Sequence, residues 1–415
     1  MGACVAMLRV MRTPAEAIAE ILECIAPLEA REHVSLTQAC GRVLAEDAHS
    51  DLDLPPFEKS AMDGFAVRSV DFAASGGARR LRQVGEARAG EPFAGRVAAG
   101  ECVAIYTGSQ VPADCDAVIM VERSRPDGAG HVLLEDAPRP GLNLCQRGED
   151  LRTGERVLTR GRVLRPEDLS VLAAVGKEPL AVLRRPCVHL ATTGDELVRA
   201  HERPGPGQIR EGNTLYLGAA LQAAGVELVS HGIVRDDPRE LERVFAHALD
   251  NGDALVTTGG VSMGKYDLVG AAFERLSVRP VLHKIAIKPG KPLWFGMAGN
   301  KPVFGLPGNP VSCLVGFEVF LRRALAKLSG ADPVHWQSET LPVGRWSGTA
   351  LAANPRQQHH PVRVHCGEDG VSVLEPLRWR SSADIVGITR ADALAVVAPD
   401  TRAETGALVP FRRLR

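Results

Sequence analysis

Several features that would define other classes of protein are missing from this sequence. It contains no apolar run approaching the ~18 residues that cross a bilayer, so no transmembrane helix is expected. Its nine cysteines are odd in number, are scattered along the chain and never form a CxxC pair. A disulfide framework or a cysteine-based zinc site is therefore not indicated, and a reducing cytoplasm is the compartment that fits.

An excess of charge of either sign is also missing. Lysine and arginine together number 49, and aspartate and glutamate 50, so the formal net charge is -1. General binding to nucleic acid requires a basic surface and is not expected. The first 11 residues show no cleavage-site pattern of a secretory signal. A chain of 415 residues with this composition is expected to form two to four globular domains.

Lysine is scarce, because arginine makes up most of the basic residues. Only eight of the 49 are lysine, and five of these eight lie between residues 265 and 301. Lysine is a compact point charge on a flexible stem, whereas arginine is a planar fork. Chance clustering on a surface is one explanation. The alternative is that several positions in this stretch require an ammonium group.

The lysine-rich stretch, residues 253–312, also contains two glycine-rich turns. A short apolar run ends in Thr257-Thr258-Gly259-Gly260, which predicts a buried strand that opens into a loop able to approach an anion. The sequence Pro307-Gly308-Asn309-Pro310 precedes a long helical pattern, and the free N–H groups of a helix start suit a phosphate. Asp267 is placed as a helix N-cap. Together these features predict a site for a phosphorylated ligand and a metal.

Strand and helix patterns alternate from Pro186 onward, which predicts a parallel sheet with right-handed crossovers. Ligands of such sheets bind outside the carboxyl ends of the strands. The loops at those ends carry Glu196, Asp236, the Thr-Gly-Gly turn and the lysines. That convergence makes each of these residues a stronger site candidate than its local pattern alone would.

The remainder of the chain divides into helical and β-rich parts. Thr13-Pro14-Ala15-Glu16 is a capping box that begins a helix, and a second short helix is predicted over residues 36–44. Residues 68–149 and 340–415 show short strands separated by turn residues, the latter typical of a small β-barrel. On spacing alone, Asp63 and Asp150 are ordinary loop acids. The barrel histidines have no ligand partner at metal spacing; they are His359, His360 and His365.

Eight motifs in one order resemble a single known family. They are LPPFEKSAMDGFAV, YTGSQVPADCDAVIMVE, RGEDLRTG, TTGDEL, RDDP, TTGGVSMGKYD, KIAIKPGKP and GLPGNPVS. The chain resembles the MoeA-type molybdopterin molybdenumtransferases, a family that includes the C-terminal domain of gephyrin. Each motif alone is moderately specific, whereas the eight in order are highly specific and extend over nearly the whole chain.

The resemblance implies a multidomain α/β plus β fold with four domains. These are a discontinuous helical linker domain (1–50 and 150–185), a β-rich domain (51–149), a MogA-like three-layer α/β domain (186–335) and a C-terminal β-barrel (336–415). It also implies a homodimer, with the active site between the α/β domain and parts of the second subunit. Transient contact with a MogA-type adenylyltransferase and with molybdoenzyme chaperones is a further expectation.

The implied reaction is the last step of molybdenum cofactor assembly. Adenylated molybdopterin and molybdate enter, AMP is released in a Mg²⁺-dependent step, and molybdenum is placed on the pterin. By their match to family positions, the metal-binding and catalytic acids are Asp63, Asp150, Glu196, Asp236 and Asp267. The matching catalytic lysines are Lys284 and Lys288. The matching pterin-binding residues are Thr258, Gly259, Gly260, Ser262, Lys291, Pro307, Gly308, Asn309 and Pro310.

Two other functions remain as alternatives. A MogA-type adenylyltransferase acts one step earlier and shares the Thr-Gly-Gly α/β domain, but the MDG motif and the barrel are not expected in it. A non-enzymatic scaffold, a role that the gephyrin C-terminal domain partly has, would not need the full set of acids and lysines. The adenylyltransferase would adenylate molybdopterin, and the scaffold would release no AMP.

Overall fold

In the computed structural model the described residues, 11–73, 77–260, 268–337 and 340–414, fall into two compact units. The larger unit comprises residues 11–46, 160–165 and 180–414. The smaller unit comprises residues 47–159 and 166–179. Each unit has its own hydrophobic cores, so each is described by itself.

The larger unit begins with the predicted helix, Pro14–Cys24. The capping box is present, because Glu16 Oε2 accepts from the Thr13 N–H at 2.8 Å and Thr13 Oγ1 accepts from the Glu16 N–H at 3.3 Å. The second helix, Leu36–Ala39, is shorter than the predicted 36–44. Gly41 follows with φ +74°, a left-handed conformation that ends a helix. The prediction was therefore wrong at this end.

The centre of the larger unit is a six-stranded sheet of mixed direction. Four parallel strands lie side by side in the order Glu227–Val234, Cys187–Thr193, Ala254–Thr258 and Lys301–Leu306. The predicted parallel pairing is confirmed for the first three of these strands, whereas the far edge, Trp294–Ala298 and Arg279–His283, was not predicted and runs antiparallel. Only two residues separate Trp294–Ala298 from Lys301–Leu306, and so short a turn cannot make the crossover that a parallel pair needs.

Helices cover both faces of this sheet, which gives three layers. Successive residues of a strand face opposite sides, so Leu190 joins the core on one face and Ala191 the core on the other. The first face packs against Leu217 and Val311, and the second against Phe245 and Phe273. The helices are Asn213–Ala223, Pro238–Asn251, Leu268–Arg275 and a continuous run of Pro310–Gly316, Phe317–Leu321 and Arg322–Leu328.

The C-terminal part of the larger unit is a closed barrel of five strands. In order around the barrel they are Gln357–Cys366, Ser372–Pro376, Val343–Trp346, Leu408–Arg413 and Ala393–Val397, and the last pairs with the first. The short strand Ile287–Lys288 adds to Gln357–Cys366 and so joins the lysine-rich stretch to the barrel. The barrel core includes Trp346, Leu374 and Phe411, so the interior is filled by side chains.

The smaller unit is organised around a second six-stranded sheet. Its strands, in order across the sheet, are Ala117–Met120, Gly64–Val67, Glu101–Ile105, Arg79–Ala87, His131–Leu134 and Ser124–Pro126. Its helix is Pro166–Ala174. Two short antiparallel pairs complete it, Ala48–His49 with Arg156–Leu158 and Lys59–Ser60 with Leu144–Cys145.

The remaining elements are short. They are the pairs Arg31–Val34 with Leu180–Leu183 and Leu197–Val198 with Ile209–Arg210, the helix Ile385–Ile388 and the 3₁₀ turns Ser69–Phe72, Val121–Arg123 and Pro333–His335. Among the residues that the structure describes, no helix has both the length and the apolar composition needed to cross a membrane.

Candidate active site

A cleft of about 700 Å³ lies at the carboxyl ends of the parallel strands in the larger unit. We call it the sheet-edge cleft. The structure brings together in its wall most of the residues predicted for this unit. They are Glu196, Asp236, Thr258, Gly259, Gly260, Pro307, Gly308, Asn309 and Pro310. The convergence follows from the topology, because the carboxyl ends of neighbouring parallel strands meet at one edge.

The Thr-Gly-Gly turn begins where the strand Ala254–Thr258 ends. Gly259 has φ +91°, and a Cβ added there would lie 2.3 Å from the main-chain oxygen of Thr193. A residue with a side chain would therefore be strained and would also clash with main chain that cannot easily move. Glycine at this position lets two strand ends approach each other closely and leaves their main chain facing the cleft.

Asn213 ties the two glycine-rich turns together. Its Nδ2 donates to Thr258 Oγ1 at 3.1 Å and to the Gly308 oxygen at 2.7 Å. The Thr258 hydroxyl in turn donates to the Pro307 oxygen at 3.2 Å. Asn213 was not among the residues predicted from the sequence, because a contact between residues 95 positions apart has no local signal.

A buried hydroxyl also lines the cleft. Thr193 is 2% exposed, and its Oγ1 has no hydrogen-bond partner among the described residues. Burying an unpaired hydroxyl is unfavourable, and a polar ligand atom could satisfy it. The neighbouring Thr192 hydroxyl is paired, at 2.6 Å from Thr214 Oγ1. Thr193 is therefore a second site candidate that the sequence analysis did not select.

Both acids predicted for this cleft that the structure describes, Glu196 and Asp236, line it. Burial raises the pKa of Asp236, and the neighbouring carboxylates of Asp195 and Glu196 raise the same pKa further. Hard carboxylate oxygens in mutual repulsion favour a divalent cation. Glu196 and Asp236 therefore fit such an ion as two donors, although within the described ranges no three metal-binding side chains are grouped to hold one.

Next to the cleft is a second cavity of about 450 Å³, which we call the lysine cavity. It shares Pro307 and Asn309 with the sheet-edge cleft. Among the residues that the structure describes, four cationic side chains and no carboxylate line it; the four are Lys288, Lys291, Arg356 and Arg380. Within the described part of the chain, neither lysine has an ion-pair partner. A cavity with these charges suits a small oxyanion.

The arginines of the lysine cavity come from the barrel and were not predicted. Arg356 precedes the strand Gln357–Cys366, and its Nη1 donates to the Ile287 oxygen at 3.2 Å. Arg380 lies in the loop before Ile385–Ile388. That loop is tied to the Pro-Gly-Asn-Pro turn, because Asn309 Nδ2 donates to Ser382 Oγ at 2.9 Å. No periodicity or motif links residues so far apart in the sequence.

Lys284 is separate from the other predicted lysines. It is half-buried with φ +72°, and its N–H donates to the Leu293 oxygen at 3.2 Å. It lines neither the sheet-edge cleft nor the lysine cavity. Ser262 and Asp267 lie outside the described residues.

Asp63 and Asp150 belong to the smaller unit. The main-chain N–H and the hydroxyl of Thr107 both donate to Asp63 Oδ1, each at 2.7 Å. These two bonds lower the pKa of Asp63, whose carboxylate is exposed. Asp150 is also exposed, and its N–H donates to the Leu54 oxygen at 2.9 Å. Both acids are thus held in place by neighbouring main chain.

The loop that carries Asp150 is held by an acid that the sequence analysis missed. Asp53 accepts from Arg147 Nε at 2.6 Å and from the N–H and hydroxyl of Thr153, each at 2.9 Å. These bonds lower the pKa of Asp53, with the Thr153 N–H as the largest contribution. Asp53 is therefore a structural acid that closes the loop on both sides of Asp150.

Three family profiles match successive parts of the chain. They are the MoeA N-terminal region (domain I and II) over residues 12–176, a probable molybdopterin binding domain over residues 190–327, and the MoeA C-terminal region (domain IV) over residues 347–414. The sheet-edge cleft lies mostly in the second of these. Fold and site together therefore define a multidomain protein built around a probable molybdopterin binding domain.

Similar proteins support one family. The chain is 37% identical over 299 residues to the molybdopterin molybdenumtransferase of Haemophilus influenzae, covering 72% of this chain and 73% of that protein. It is 30% identical over 377 residues to that of Staphylococcus aureus, covering 89% and 87%. A MoeA protein structure from Pyrococcus horikoshii superimposes with a TM-score of 0.82 at 27% identity, covering 98% of this chain and 100% of that chain. This chain belongs to the MoeA family, an enzyme family, and the predicted fold class is confirmed.

Proposed function

We propose that this chain is a molybdopterin molybdenumtransferase that inserts molybdenum from molybdate into adenylated molybdopterin and releases AMP. The observation that carries this proposal is that two cavities, one with two glycine-rich turns and one with four cationic side chains among the described residues, lie next to each other. The sheet-edge cleft, with its two glycine-rich turns, adjoins the lysine cavity in a family member. The reaction joins two anionic substrates, and adjacent spaces of this kind would hold both.

In this proposal each space takes one substrate. The phosphate groups of the adenylated pterin lie along the turns at Gly259 and Gly308, where main chain is accessible. Molybdate occupies the lysine cavity beside Lys288 and Lys291. Lys284 is proposed as a further basic residue from its family match alone. No covalent nucleophile is required, because positioning and charge neutralisation supply the catalytic effect.

The proposed metal ion is Mg²⁺, which when bound neutralises charge on phosphate oxygens. Glu196 and Asp236 would hold it with their carboxylates, and the raised pKa of Asp236 is consistent with a site built for a cation. Asp63, Asp150 and Asp267 complete the proposed acid set. The Thr107 bonds keep the Asp63 carboxylate ionised and aimed in one direction.

Several further properties belong to the same proposal. We propose a homodimer, the cytoplasm as compartment, and transient contact with a MogA-type adenylyltransferase and molybdoenzyme chaperones. Eight cysteines in the described ranges are free thiols, which supports a reducing compartment. The four-domain division made from the sequence also stays a proposal. The adenylyltransferase alternative is less favoured, because family matches extend well outside the shared α/β domain.

The decisive experiment supplies the purified protein with adenylated molybdopterin, molybdate and Mg²⁺. We expect stoichiometric AMP release and formation of molybdenum cofactor, measured by chromatography and by reconstitution of a molybdoenzyme. Lys288→Ala should lower turnover at least about tenfold, since a charge in the oxyanion cavity is lost. Lys177→Ala, in the smaller unit, is the matched control and should retain full turnover. If wild-type protein releases no AMP, the proposed function is wrong.

A further inference from the structure

His360, in the barrel strand Gln357–Cys366, uses both of its ring nitrogens. Nδ1 lies 3.3 Å from the indole Nε1 of Trp379, and Nε2 lies 3.2 Å from the Leu377 oxygen. The indole can only donate and the carbonyl can only accept. His360 must therefore be neutral, with its proton on Nε2 and its lone pair on Nδ1.

These two bonds hold the beginning of one loop, residues 377–382, which we call the Trp379 segment. The N–H of Leu377 also donates to the Pro361 oxygen, at 3.0 Å. The Trp379 ring stands edge-on to His360, with centroids 6.1 Å apart and an interplanar angle of 81°. The far end of the segment is tied by Ser382, whose oxygen accepts from the Val311 N–H at 2.9 Å. The segment is thus fastened at both ends.

Trp379 stands between two cavities. One is the lysine cavity, and the other is a neighbouring space of about 280 Å³ that His360 also lines. Lys288 and Trp379 are lining residues of both. The indole and the lysine therefore form the partition that limits the size of the lysine cavity.

We propose that His360 is a positioning residue that holds the Trp379 indole in this partition and so fits the lysine cavity to a small tetrahedral oxyanion. The identity of the oxyanion as molybdate rests on the proposed function. Release of the indole would join the two cavities, remove one wall from beside Lys288 and weaken the binding of a small anion. His360 itself touches neither substrate in this proposal, because its ring nitrogens are both occupied.

The electrostatic surroundings of His360 favour its neutral form. Burial is the main cause that lowers the pKa of His360 to about 4; the bond to Leu377 opposes the shift, and the nearby ammonium of Lys288 contributes to it. Arg378 lines the same 280 Å³ cavity and adds positive charge. Protonation of Nδ1 would remove the acceptor that holds the indole. The partition should therefore stay in place at neutral pH.

The test measures binding of molybdate alone by equilibrium dialysis, together with tryptophan emission, so it does not depend on turnover. His360→Leu should weaken molybdate binding by about tenfold, the order expected for a lost hydrogen bond. It should also shift the Trp379 contribution to the emission, isolated by subtracting the spectrum of Trp379→Phe, to longer wavelength. His365→Leu makes the same change at an exposed position of the same strand and should alter neither. Binding of the adenylated pterin should stay within about twofold in both variants.

Two further variants separate positioning from general stability. Trp379→Phe removes the indole donor together with part of the ring, so it should weaken molybdate binding at least as much as His360→Leu, and the His360→Leu/Trp379→Phe double variant should show no loss beyond that of Trp379→Phe. His360→Asn keeps an acceptor near the Nδ1 position and should recover part of the binding. Unchanged molybdate affinity in both His360→Leu and Trp379→Phe would overturn the inference. Wild-type protein that binds molybdate but releases no AMP would overturn the proposed function alone.

Discussion

The sheet-edge cleft of the larger unit and the Asp63 loop of the smaller unit present carboxylates in opposite ways. Asp236 is partly buried beside Asp195 and Glu196, and its pKa is raised. Asp63 is exposed and accepts two hydrogen bonds from Thr107, and its pKa is lowered. These two acids of the proposed set thus differ in their surroundings. Asp236 favours a bound cation because a cation would relieve its repulsion with the neighbouring carboxylates. Asp63 is already ionised, and its hydrogen bonds fix its direction.

The two regions are alike in one respect: in each, a glycine packs directly against the main chain of a neighbouring strand. A Cβ at Gly64 would lie 1.9 Å from the Ile119 oxygen, and one at Gly259 would lie 2.3 Å from the Thr193 oxygen. Replacing either glycine by alanine requires movement of a central strand.

The largest effect is expected from Gly64→Ala and Gly259→Ala. Each should lower the free energy of unfolding by about 3 kcal/mol, because neither main-chain contact can be relieved by a rotamer change. Urea unfolding followed by limited proteolysis should show the loss in the smaller unit for Gly64→Ala and in the larger unit for Gly259→Ala. Gly77→Ala is the control, since no atom of the described residues lies within 4 Å of its added Cβ. If either variant destabilised both units equally, the two units would not unfold separately, contrary to this prediction.

An intermediate effect is expected from removing the side chain that organises each region. Asn213→Ala loses two hydrogen bonds at a buried position and leaves the Gly308 oxygen with one donor fewer. We expect it to cost about 2 kcal/mol and to lower turnover at least about tenfold. Thr107→Val removes only the hydroxyl donor to Asp63 and keeps the main-chain donor, so its effect on thermal unfolding should be smaller.

The matched polar replacement Asn251→Ala provides the control for Asn213→Ala. Its Nδ2 donates to the His247 oxygen within one exposed helix turn, away from the cleft. It should leave turnover unchanged. If Asn213→Ala and Asn251→Ala gave the same turnover, the hydrogen bonds from Asn213 to the two glycine-rich turns would not contribute to activity.

The smallest effect is expected from the pH dependence of the two carboxylates. The raised folded pKa of Asp236 means that the folded state holds the proton more tightly, so its contribution to stability improves as pH falls through that pKa. The lowered folded pKa of Asp63 gives the opposite sign, with a contribution lost as pH falls. At pH 7, Asp236→Asn should raise the midpoint of thermal unfolding and Asp63→Asn should lower it. Shifts of the same sign at pH 7 would contradict the comparison.

Local sequence was sufficient for features that depend on neighbouring residues. The capping box at Thr13 and Glu16 formed as predicted, because its hydrogen bonds join residues three positions apart. The helix start at Pro238 follows Asp237, whose carboxylate accepts from the N–H groups of Arg239 and Glu240. Strand and helix alternation likewise predicted a cleft at the carboxyl ends of the parallel strands. These features need no information about distant parts of the chain.

Two features depended on long-range packing: the antiparallel edge of the central sheet, and the set of residues that line the two cavities. The hairpin that turns Trp294–Ala298 antiparallel, the bridge from Asn213 to Gly308, and the barrel residues beside Lys288 all join segments whose relation has no local pattern. Periodicity and turn signals report which face of an element is buried, but they do not report which element covers it. The sequence alone thus determined most of the elements and many of the residues that line the two cavities, through local hydrogen bonding and apolar spacing. The folded chain decided which of those residues share a cavity, because burial of the cores selects one arrangement of the elements.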